Sequence, residues 1–291
     1  MKVAGFSFVR NAVRYDYPIV EAITSILPIC DEFVVAVGQS DDETLERIRA
    51  IDSPKLRIIE TVWDDALREG GQVLAVETNK ALAALAPDTD WAFYIQGDEV
   101  VHEDDLPRIR AAMEQYLPDT RVEGLLFRYR HFYGSYEYVG NSRRWYRHEI
   151  RIVRHTGRVV SWKDAQGFRT NDSRKLRVKP VDAYINHYGY VRPPQVQRER
   201  LRHFGRFWVD DAYLDRHPEN YGSFDYASID SLARYVGTHP AVMQPRIERM
   251  SWAFDFDLRR KRLPLRYRLL HLVERLTGWM PFEYRNYRVL R

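Results

Sequence analysis

The chain has 291 residues, of which 45% are hydrophobic and 30% are charged, with a net charge of +4 and a pI near 9.0. This composition is that of a globular protein with a full hydrophobic core, and it excludes a disordered or low-complexity chain. A single cysteine, Cys30, excludes an internal disulfide framework and cysteine-type zinc sites. No apolar run approaches the roughly 20 residues that span a bilayer. The first residues lack a signal-peptide pattern, so we expect a cytoplasmic protein.

The first half of the chain alternates predicted strands with predicted helices. Four buried strands are expected, at residues 2–9, 33–37, 56–62 and 91–96. Helices are expected from Pro18, after Ser40 and from Gln72, and the spacing of Ser40 and Glu43 predicts a capping box with Ser40 as N-cap. This alternation predicts an α/β fold with a mainly parallel sheet flanked by helices.

The pattern changes after Glu99. A helix is predicted over residues 104–117, and strands over 122–129 and 149–153. Between these strands lies an aromatic, arginine-rich segment from His131 to Arg147, a length and polarity typical of binding loops. Helical patterns dominate from Pro193 onward. We therefore predict two parts, a sheet domain over 1–192 and a helical extension over 193–291 that packs on it.

The strand over 91–96 is followed by two adjacent carboxylates, Asp98 and Glu99. In open α/β sheets, ligands bind just beyond the carboxyl ends of the strands. Buried carboxylates there are costly unless a cation or a hydrogen-bond donor meets them. One interpretation is a divalent metal that holds an anionic ligand, because hard cations prefer oxygen ligands. The other is that both residues simply end the strand in a solvated turn.

Four motifs follow one another along this series of strands and helices, at residues 6–11, 38–44, 78–79 and 96–99. Their order and spacing resemble those of the GT-A-fold glycosyltransferases of family 2, over about residues 1–190. The resemblance makes residues 1–192 a catalytic domain that binds a nucleotide sugar. It implies nucleotide contacts from four motifs, at Phe8, Arg10, Asn11, Gly38, Gln39, Asn79, Gln96 and Gly97. The chain departs from the family at Val37-Gly38, where an aspartate usually reads the base, and at Gln96, which replaces the first aspartate of D-x-D. Glutamine still hydrogen-bonds sugar hydroxyls, but it adds no charge to a metal site.

The resemblance also implies a divalent metal, Mn²⁺ or Mg²⁺, that neutralises the departing nucleoside diphosphate. Asp98 is the expected direct ligand. Glu99 is expected to bind through water or to hold a nearby loop, and His187 is a further candidate ligand. A second interpretation of His187, a structural histidine in an aromatic corner, is equally open.

An inverting glycosyltransferase needs a base, because the acceptor hydroxyl must lose its proton. The resemblance places this base at Asp164, while an Asp–Lys pair on a surface loop is the alternative. The competing carboxylates are Glu99, Asp172 and Asp182. Arginine suits bidentate phosphate contact, so a closing segment 131–147 is expected to reach the diphosphate through Arg143, Arg144 or Arg147.

The leading functional hypothesis is metal-assisted, inverting transfer of a sugar from a nucleotide-sugar donor to a glycan or lipid-linked acceptor. A role in bacterial cell-envelope polysaccharide is an expectation from the resemblance alone. A sugar-phosphate nucleotidyltransferase is one rival, although residues 7–11 lack the glycine-rich loop that such enzymes carry. A non-catalytic nucleotide- or sugar-binding module is another. A nucleic-acid binder is disfavoured, since no zinc or RNP-like pattern is present.

A basic run at 259–262 precedes a predicted amphipathic helix, whose apolar stripe contains Leu269, Leu272, Val273 and Leu276. Such a helix either lies on a membrane surface or packs its stripe against its own core. We expect the second, since most amphipathic helices do this. In the first case the protein is peripheral at the inner face of a membrane.

Overall fold

The computed structural model describes residues 1–217, 224–259, 261–277 and 280–290, except for the side chains of His271 and Arg275. The strands are β1 (Val3–Val9), β2 (Glu32–Gly38), β3 (Leu56–Thr61), β4 (Trp91–Tyr94), β5 (Glu99–Val101), β6 (Gly124–Tyr133), β7 (Ser135–Gly140), β8 (His148–Arg154), β9 (Val159–Trp162), β10 (Gly167–Thr170), β11 (Leu176–Tyr190), β12 (Leu232–Arg234) and β13 (Tyr287–Val289). The helices are α1 (Ile19–Ile26), α2 (Thr44–Arg49), α3 (Gln72–Ala83), α4 (Leu106–Tyr116), α5 (Pro194–Gly205), α6 (Asp211–Arg216), α7 (Gln244–Glu248) and α8 (Leu265–Thr277).

One large sheet organises the molecule. Its main path is β12-β7-β6-β8-β4-β1-β2-β3, and β11 joins β6 while β5 and β13 join β11. The strands β3, β2, β1 and β4 are mutually parallel, whereas β8 is antiparallel to both β4 and β6. The predicted α/β class, with a mainly parallel central sheet flanked by helices, is confirmed.

Apolar side chains cover both faces of the central strands. On one face, Ile23 of α1 and Ile109 of α4 pack in a cluster with Phe93 of β4. On the other, Ala81 of α3 packs in a cluster with Phe6 of β1. Burial of both faces explains why the central strands are near-continuous apolar runs instead of alternating ones. No helix in the described part of the chain is both long enough and apolar enough to cross a membrane.

The strand ends form an open edge. The last pair between β1 and β4 is Phe6 with Tyr94, whereas β1 continues beside β2 as far as Val9. Strand β1 therefore extends beyond the end of β4, and the loop after β4 begins beside it, where the Ile95 N–H donates to the Phe6 carbonyl at 3.1 Å. The long strand β11 passes the same place and sets His187 opposite His131 of β6.

The start of α2 differs from the prediction. The helix begins at Thr44, whose N–H donates to the carboxylate of Asp42 at 3.0 Å. The Ser40 hydroxyl donates instead to the Gly38 carbonyl at 2.8 Å and accepts from the Asn11 N–H at 3.0 Å. Ser40 therefore ties the loop after β1 to the loop after β2, and its prediction as N-cap is wrong.

The extension over 193–291 is not purely helical. Strand β12 pairs with β7 and β13 pairs with β11, so the extension completes the main sheet. In α8, three of the four stripe residues, Leu269, Leu272 and Leu276, are 66%, 52% and 75% exposed, and the fourth, Val273, is half-buried. Our expectation that this stripe packs on the core is therefore wrong.

Candidate active site

A cleft of about 430 Å³ opens at the carboxyl ends of β1 and β4. Its walls come from the loops after these two strands, the segment after β7, the turn after β9, the end of β11, and α5 with the residues after it. This volume lies in the range of small-molecule sites, and the position is the one where open parallel sheets bind ligands.

Asp98 is the buried anion of this cleft. Its Oδ2 atom lies 3.6 Å from Nε2 of His187 and 3.7 Å from a guanidinium nitrogen of Arg200. Burial alone would raise the pKa of Asp98, but His187, Arg200 and Arg192 around it lower that pKa below its usual range. Asp98 is therefore ionised at neutral pH, and it lines the cleft.

A histidine pair fixes the orientation of His187. His131 is buried, and burial together with nearby His187 lowers its pKa to about 3, so it is neutral. Its Nε2 lies 2.8 Å from the Tyr146 carbonyl oxygen and must donate to it. Its Nδ1 is then an acceptor and receives the N–H of His187 Nδ1 at 3.1 Å. The other ring nitrogen of His187, Nε2, therefore faces Asp98.

Gly189 keeps the space between these two groups open. A Cβ at this glycine would lie 2.5 Å from His187 Nε2 and 2.8 Å from Asp98 Oδ2. No described residues form a group of three or more His, Cys, Asp or Glu that could hold a metal. An imidazole nitrogen and a carboxylate that face one open space nevertheless suit a divalent ion that takes its remaining ligands from phosphates and water. The residues thus fit a metal that binds together with a diphosphate.

Glu99 does not lie in the cleft. Its carboxylate is fully buried and accepts from the Arg151 guanidinium at 2.9 and 2.8 Å, from the Gln96 N–H at 3.1 Å and from the Tyr129 hydroxyl. This placement corrects the expectation of Glu99 as a metal ligand, because both of its oxygens already accept from buried donors. It agrees with the other expectation, that Glu99 holds a nearby loop, since the Gln96 N–H lies in the loop after β4.

Asp164 lies in the same cleft as Asp98, in the turn between β9 and β10. Its two neighbours have positive φ angles, 54° at Lys163 and 61° at Ala165, so the turn is tight. The Gln96 amide donates to the Ala165 carbonyl at 3.1 Å and supports this turn. Within the described chain, Asp98 and Asp164 are the two carboxylates that line the cleft.

The expected nucleotide-contacting residues fall into two groups. Phe8, Arg10, Gln96 and Gly97 line the cleft. The other four do not lie among its lining residues: Asn11, Gly38, Gln39 and Asn79.

Contacts within the protein account for the placement of three of these four residues. The Asn11 amide oxygen accepts from the Asp41 N–H at 3.0 Å, and that of Asn79 accepts from the Ser161 N–H at 2.8 Å. Trp63 covers Gly38, where an added Cβ would lie 2.3 Å from the indole nitrogen. Gln39 is exposed. None of the four lines the cleft, and their contact with a nucleotide stays a prediction.

Some residues of the arginine-rich segment line the cleft, and others contact α8. Arg144, Trp145 and Tyr146 line the cleft. Arg143 and Arg147 instead form ion pairs with Glu274 of α8. Of the three arginines expected to reach a diphosphate, only Arg144 is placed to do so.

Sequence reasoning missed the contribution of α5. Arg200 is nearly buried, donates to the Tyr17 hydroxyl at 2.8 Å and lies 4.8 Å from the Phe204 ring centre. His203 and Phe207 also line the cleft. The available signal was the helical stripe through Phe204, because Arg200 precedes it by one turn on the same face.

The competing carboxylates lie elsewhere. Asp182 pairs with Arg128 on the exposed side of the molecule, and Asp172 accepts from the Thr170 hydroxyl. A buried carboxyl that the sequence reasoning did not consider is Glu149 of β8, which accepts from the Gln166 amide at 2.9 Å. Burial raises the pKa of Glu149 to about 7.

No family model matches the chain, and no curated protein matches its sequence. Among solved structures, residues 1–349 of TarS from S. aureus share 15% identity at a TM-score of 0.42, covering 75% of this chain and 72% of that one. The same fragment in complex with UDP gives 15% identity at a TM-score of 0.43, with the same coverage of 75% and 72%. Glucosyl-3-phosphoglycerate synthase from Mycobacterium tuberculosis, with Mn²⁺, UDP-glucose and phosphoglyceric acid, shares 20% identity at a TM-score of 0.30, covering 45% of this chain and 44% of that one. These likenesses are distant.

Proposed function

We propose that the protein is a GT-A-fold glycosyltransferase of family 2 that transfers a sugar from a nucleotide-diphosphate donor with the help of a divalent metal. The observation that carries the proposal is the pair formed by Asp98 and His187, with Gly189 leaving room between them. A hard cation held there is suited to phosphate oxygens, which supports a diphosphate as the ligand.

The rest of the cleft complements such a donor. Arg10 and Arg144 line it and supply cations for phosphate oxygens. Phe8 and Trp63 form an aromatic wall with ring centres 5.7 Å apart, suited to contact with a nucleobase. Phe8 and Arg10 lie at the end of β1, where the family resemblance places the nucleotide.

The chemistry follows from these positions. A bound metal would stabilise the charge that builds on the departing diphosphate. Asp164, on another wall of the cleft, takes the proton from the acceptor hydroxyl. The resulting alkoxide attacks the anomeric carbon, whose bond to the diphosphate oxygen breaks. We place an inverting reaction here because the cleft supplies one base in addition to the metal-binding carboxylate.

The acceptor in this proposal is a glycan or a lipid-linked sugar. Trp145 and Tyr190 line the cleft with ring centres 5.4 Å apart. Aromatic faces of this kind suit the apolar faces of sugar rings. A small charged acceptor would have less use for them.

A thermal-shift panel of nucleoside diphosphates, with and without Mn²⁺, tests the proposal. A ligand at about 100 times its Kd adds about 2.7 kcal/mol to the stability of the folded state, so one nucleotide should raise Tm clearly when Mn²⁺ is present. The preferred nucleotide then defines the sugar donors for a turnover assay that measures nucleoside-diphosphate release.

The outcomes separate the competing functions. Donor cleavage with sugar transfer supports the proposal. Release of pyrophosphate from a nucleoside triphosphate and a sugar phosphate would establish a nucleotidyltransferase instead. Binding without turnover of any donor would leave a binding module, and no shift with any nucleotide would contradict the proposal.

A further inference from the structure

A continuous apolar stripe faces solvent along α8. Leu265, Leu269, Leu272 and Leu276 recur at intervals of four, three and four residues, which places them on one side of the helix. Their side chains are 76%, 66%, 52% and 75% exposed. Apolar residues that are contiguous on a surface, rather than scattered, indicate an interaction site.

Contacts on another side of α8 hold the helix in this orientation. Glu274 lies 3.5 Å from a guanidinium nitrogen of Arg143 and also pairs with Arg147. Arg143 further donates to the Pro281 carbonyl, just beyond the helix. The side chain of Glu274 is only 11% exposed, so these contacts lie on the inner side of α8 and leave the leucine stripe outward.

The segment that carries the stripe is strongly basic. Residues 259–277 contain seven Lys and Arg residues and one Glu, a net charge of +6 in a chain whose total is +4. The remainder of the chain is therefore net negative, so the excess of positive charge lies in the segment that carries the stripe. Arg266 and Arg268 are exposed, while the one acidic residue, Glu274, is already paired with arginines.

We propose that α8 docks the protein on the surface of an anionic phospholipid bilayer. An interfacial helix places its apolar side at the boundary of headgroups and acyl chains, and its Lys and Arg residues meet the lipid phosphates. Phe282 and Tyr284, 85% and 60% exposed, lie just after the helix and add apolar surface at the same end of the chain. The charge of the segment selects a bilayer over an apolar protein partner.

Docking would also bring the cleft close to lipid headgroups. The segment 141–147 contacts α8 through Arg143 and Arg147 and lines the cleft through Arg144 and Trp145. A lipid-linked acceptor would then be presented at the bilayer surface beside the cleft. This second step rests on the proposed function, whereas the docking itself does not.

Vesicle co-sedimentation of the full chain tests the docking. Vesicles of phosphatidylcholine with one quarter phosphatidylglycerol should bind the wild type, and vesicles of pure phosphatidylcholine should bind it much more weakly. Each cation near an anionic surface contributes about fivefold, so Arg266→Gln with Arg268→Gln should weaken binding roughly 25-fold. Leu269→Glu with Leu272→Glu should abolish binding. Val236→Glu, at an aliphatic residue that is 91% exposed elsewhere, should change nothing.

Two results would overturn the docking proposal. One is no selective binding of the wild type to anionic vesicles, or equal binding by the Leu269→Glu, Leu272→Glu variant. The other is a wild-type dimer in sedimentation velocity that this variant converts to a monomer, which would identify a second copy of the chain as the occupant. Circular dichroism checks that the variants fold. Nucleoside-diphosphate binding should be unchanged in them, so failure of docking is distinguishable from failure of the proposed function.

Discussion

The Nδ1 atoms of His131 and His187 lie 3.1 Å apart on the neighbouring strands β6 and β11. Since His131 donates through Nε2 to the Tyr146 carbonyl, its Nδ1 accepts from His187. His131 is therefore a positioning residue, which holds the His187 ring with its Nε2 toward Asp98. Partners of this kind set the tautomer and the basicity of metal-binding histidines.

Replacing His131 tests that role. His131→Leu removes the acceptor, so we expect Mn²⁺ affinity to fall about 10- to 100-fold. His131→Asn keeps an acceptor oxygen near the Nδ1 position and should recover a large part of the loss. Electron paramagnetic resonance of free Mn²⁺ measures both affinities without turnover. If both variants fold and lose the same Mn²⁺ affinity, His131 contributes only packing and does not orient His187.

Gly189 offers a second test of the proposed metal site between Asp98 and His187. Gly189→Ala places a methyl group 2.5 Å from His187 Nε2 and 2.8 Å from Asp98 Oδ2, so these two side chains must shift. Circular dichroism checks that the variant folds. Displacement of these ligands should lower the Mn²⁺ affinity tenfold or more, as changes around metal ligands typically do. Gly97→Ala is the control, because its Cβ would meet no atom closer than 3.6 Å. Unaltered Mn²⁺ binding in Gly189→Ala would argue against a metal between Asp98 and His187.

Asp164 should act on the rate of transfer and not on donor binding. A general base contributes about 10²- to 10⁴-fold, so Asp164→Asn should lower kcat by that factor and leave the donor Kd unchanged. Glu149→Gln serves as a comparison, since Glu149 is buried and does not line the cleft. A normal kcat in Asp164→Asn would exclude Asp164 as the base.

Glu149 should make stability depend on pH. Its pKa is about 7 in the folded protein against an ordinary value of 4.5, mainly because of burial. Between these two values the folded state holds a proton that the unfolded state has released, so this carboxyl favours the folded state less and less as pH rises through the window. The loss above pH 7 is on the order of 3 kcal/mol. Glu149→Gln should remove this loss. In urea unfolding, the gain in stability of the variant over wild type should therefore be larger at pH 8 than at pH 5.

Glu123 provides an internal control of opposite sign. Burial tends to raise the pKa of Glu123, but hydrogen bonds from Arg174 and Arg177 prevail and lower it to about 2. Glu123→Gln should therefore destabilise the protein at neutral pH, and the difference from wild type should shrink as pH falls from 4.5 toward 2. A Glu149→Gln variant with the same pH profile as wild type would contradict the raised pKa of Glu149.

The central strands were predictable because they are apolar on both faces and separated by helical patterns. The two carboxylates after β4 were only half predictable. Asp98 and Glu99 are neighbours in the chain, yet Asp98 lies in the cleft while Glu99 lies in the interior beside Arg151. That partner is 52 residues away in the chain, and no local pattern reveals a pairing of such range.

Other misses have the same physical origin. Ser40 had the spacing of an N-cap, but its hydroxyl bridges two loops that only tertiary structure brings together. Arg200 enters the cleft because α5 folds back over the strand ends, and its position there depends on contacts with Tyr17, far away in sequence. The apolar stripe of α8 was correctly located, but the sequence gives no sign of whether the body of the protein covers it.

The most direct measurement of the central claim is isothermal titration of the preferred nucleoside diphosphate into wild type and Asp98→Asn, each with Mn²⁺ and with a chelator. We expect Mn²⁺ to strengthen binding to the wild type, and we expect Asp98→Asn to fold normally but to gain no affinity from Mn²⁺. Equal binding by the two proteins, or wild-type binding that ignores Mn²⁺, would contradict a metal-assisted nucleotide-sugar site at Asp98.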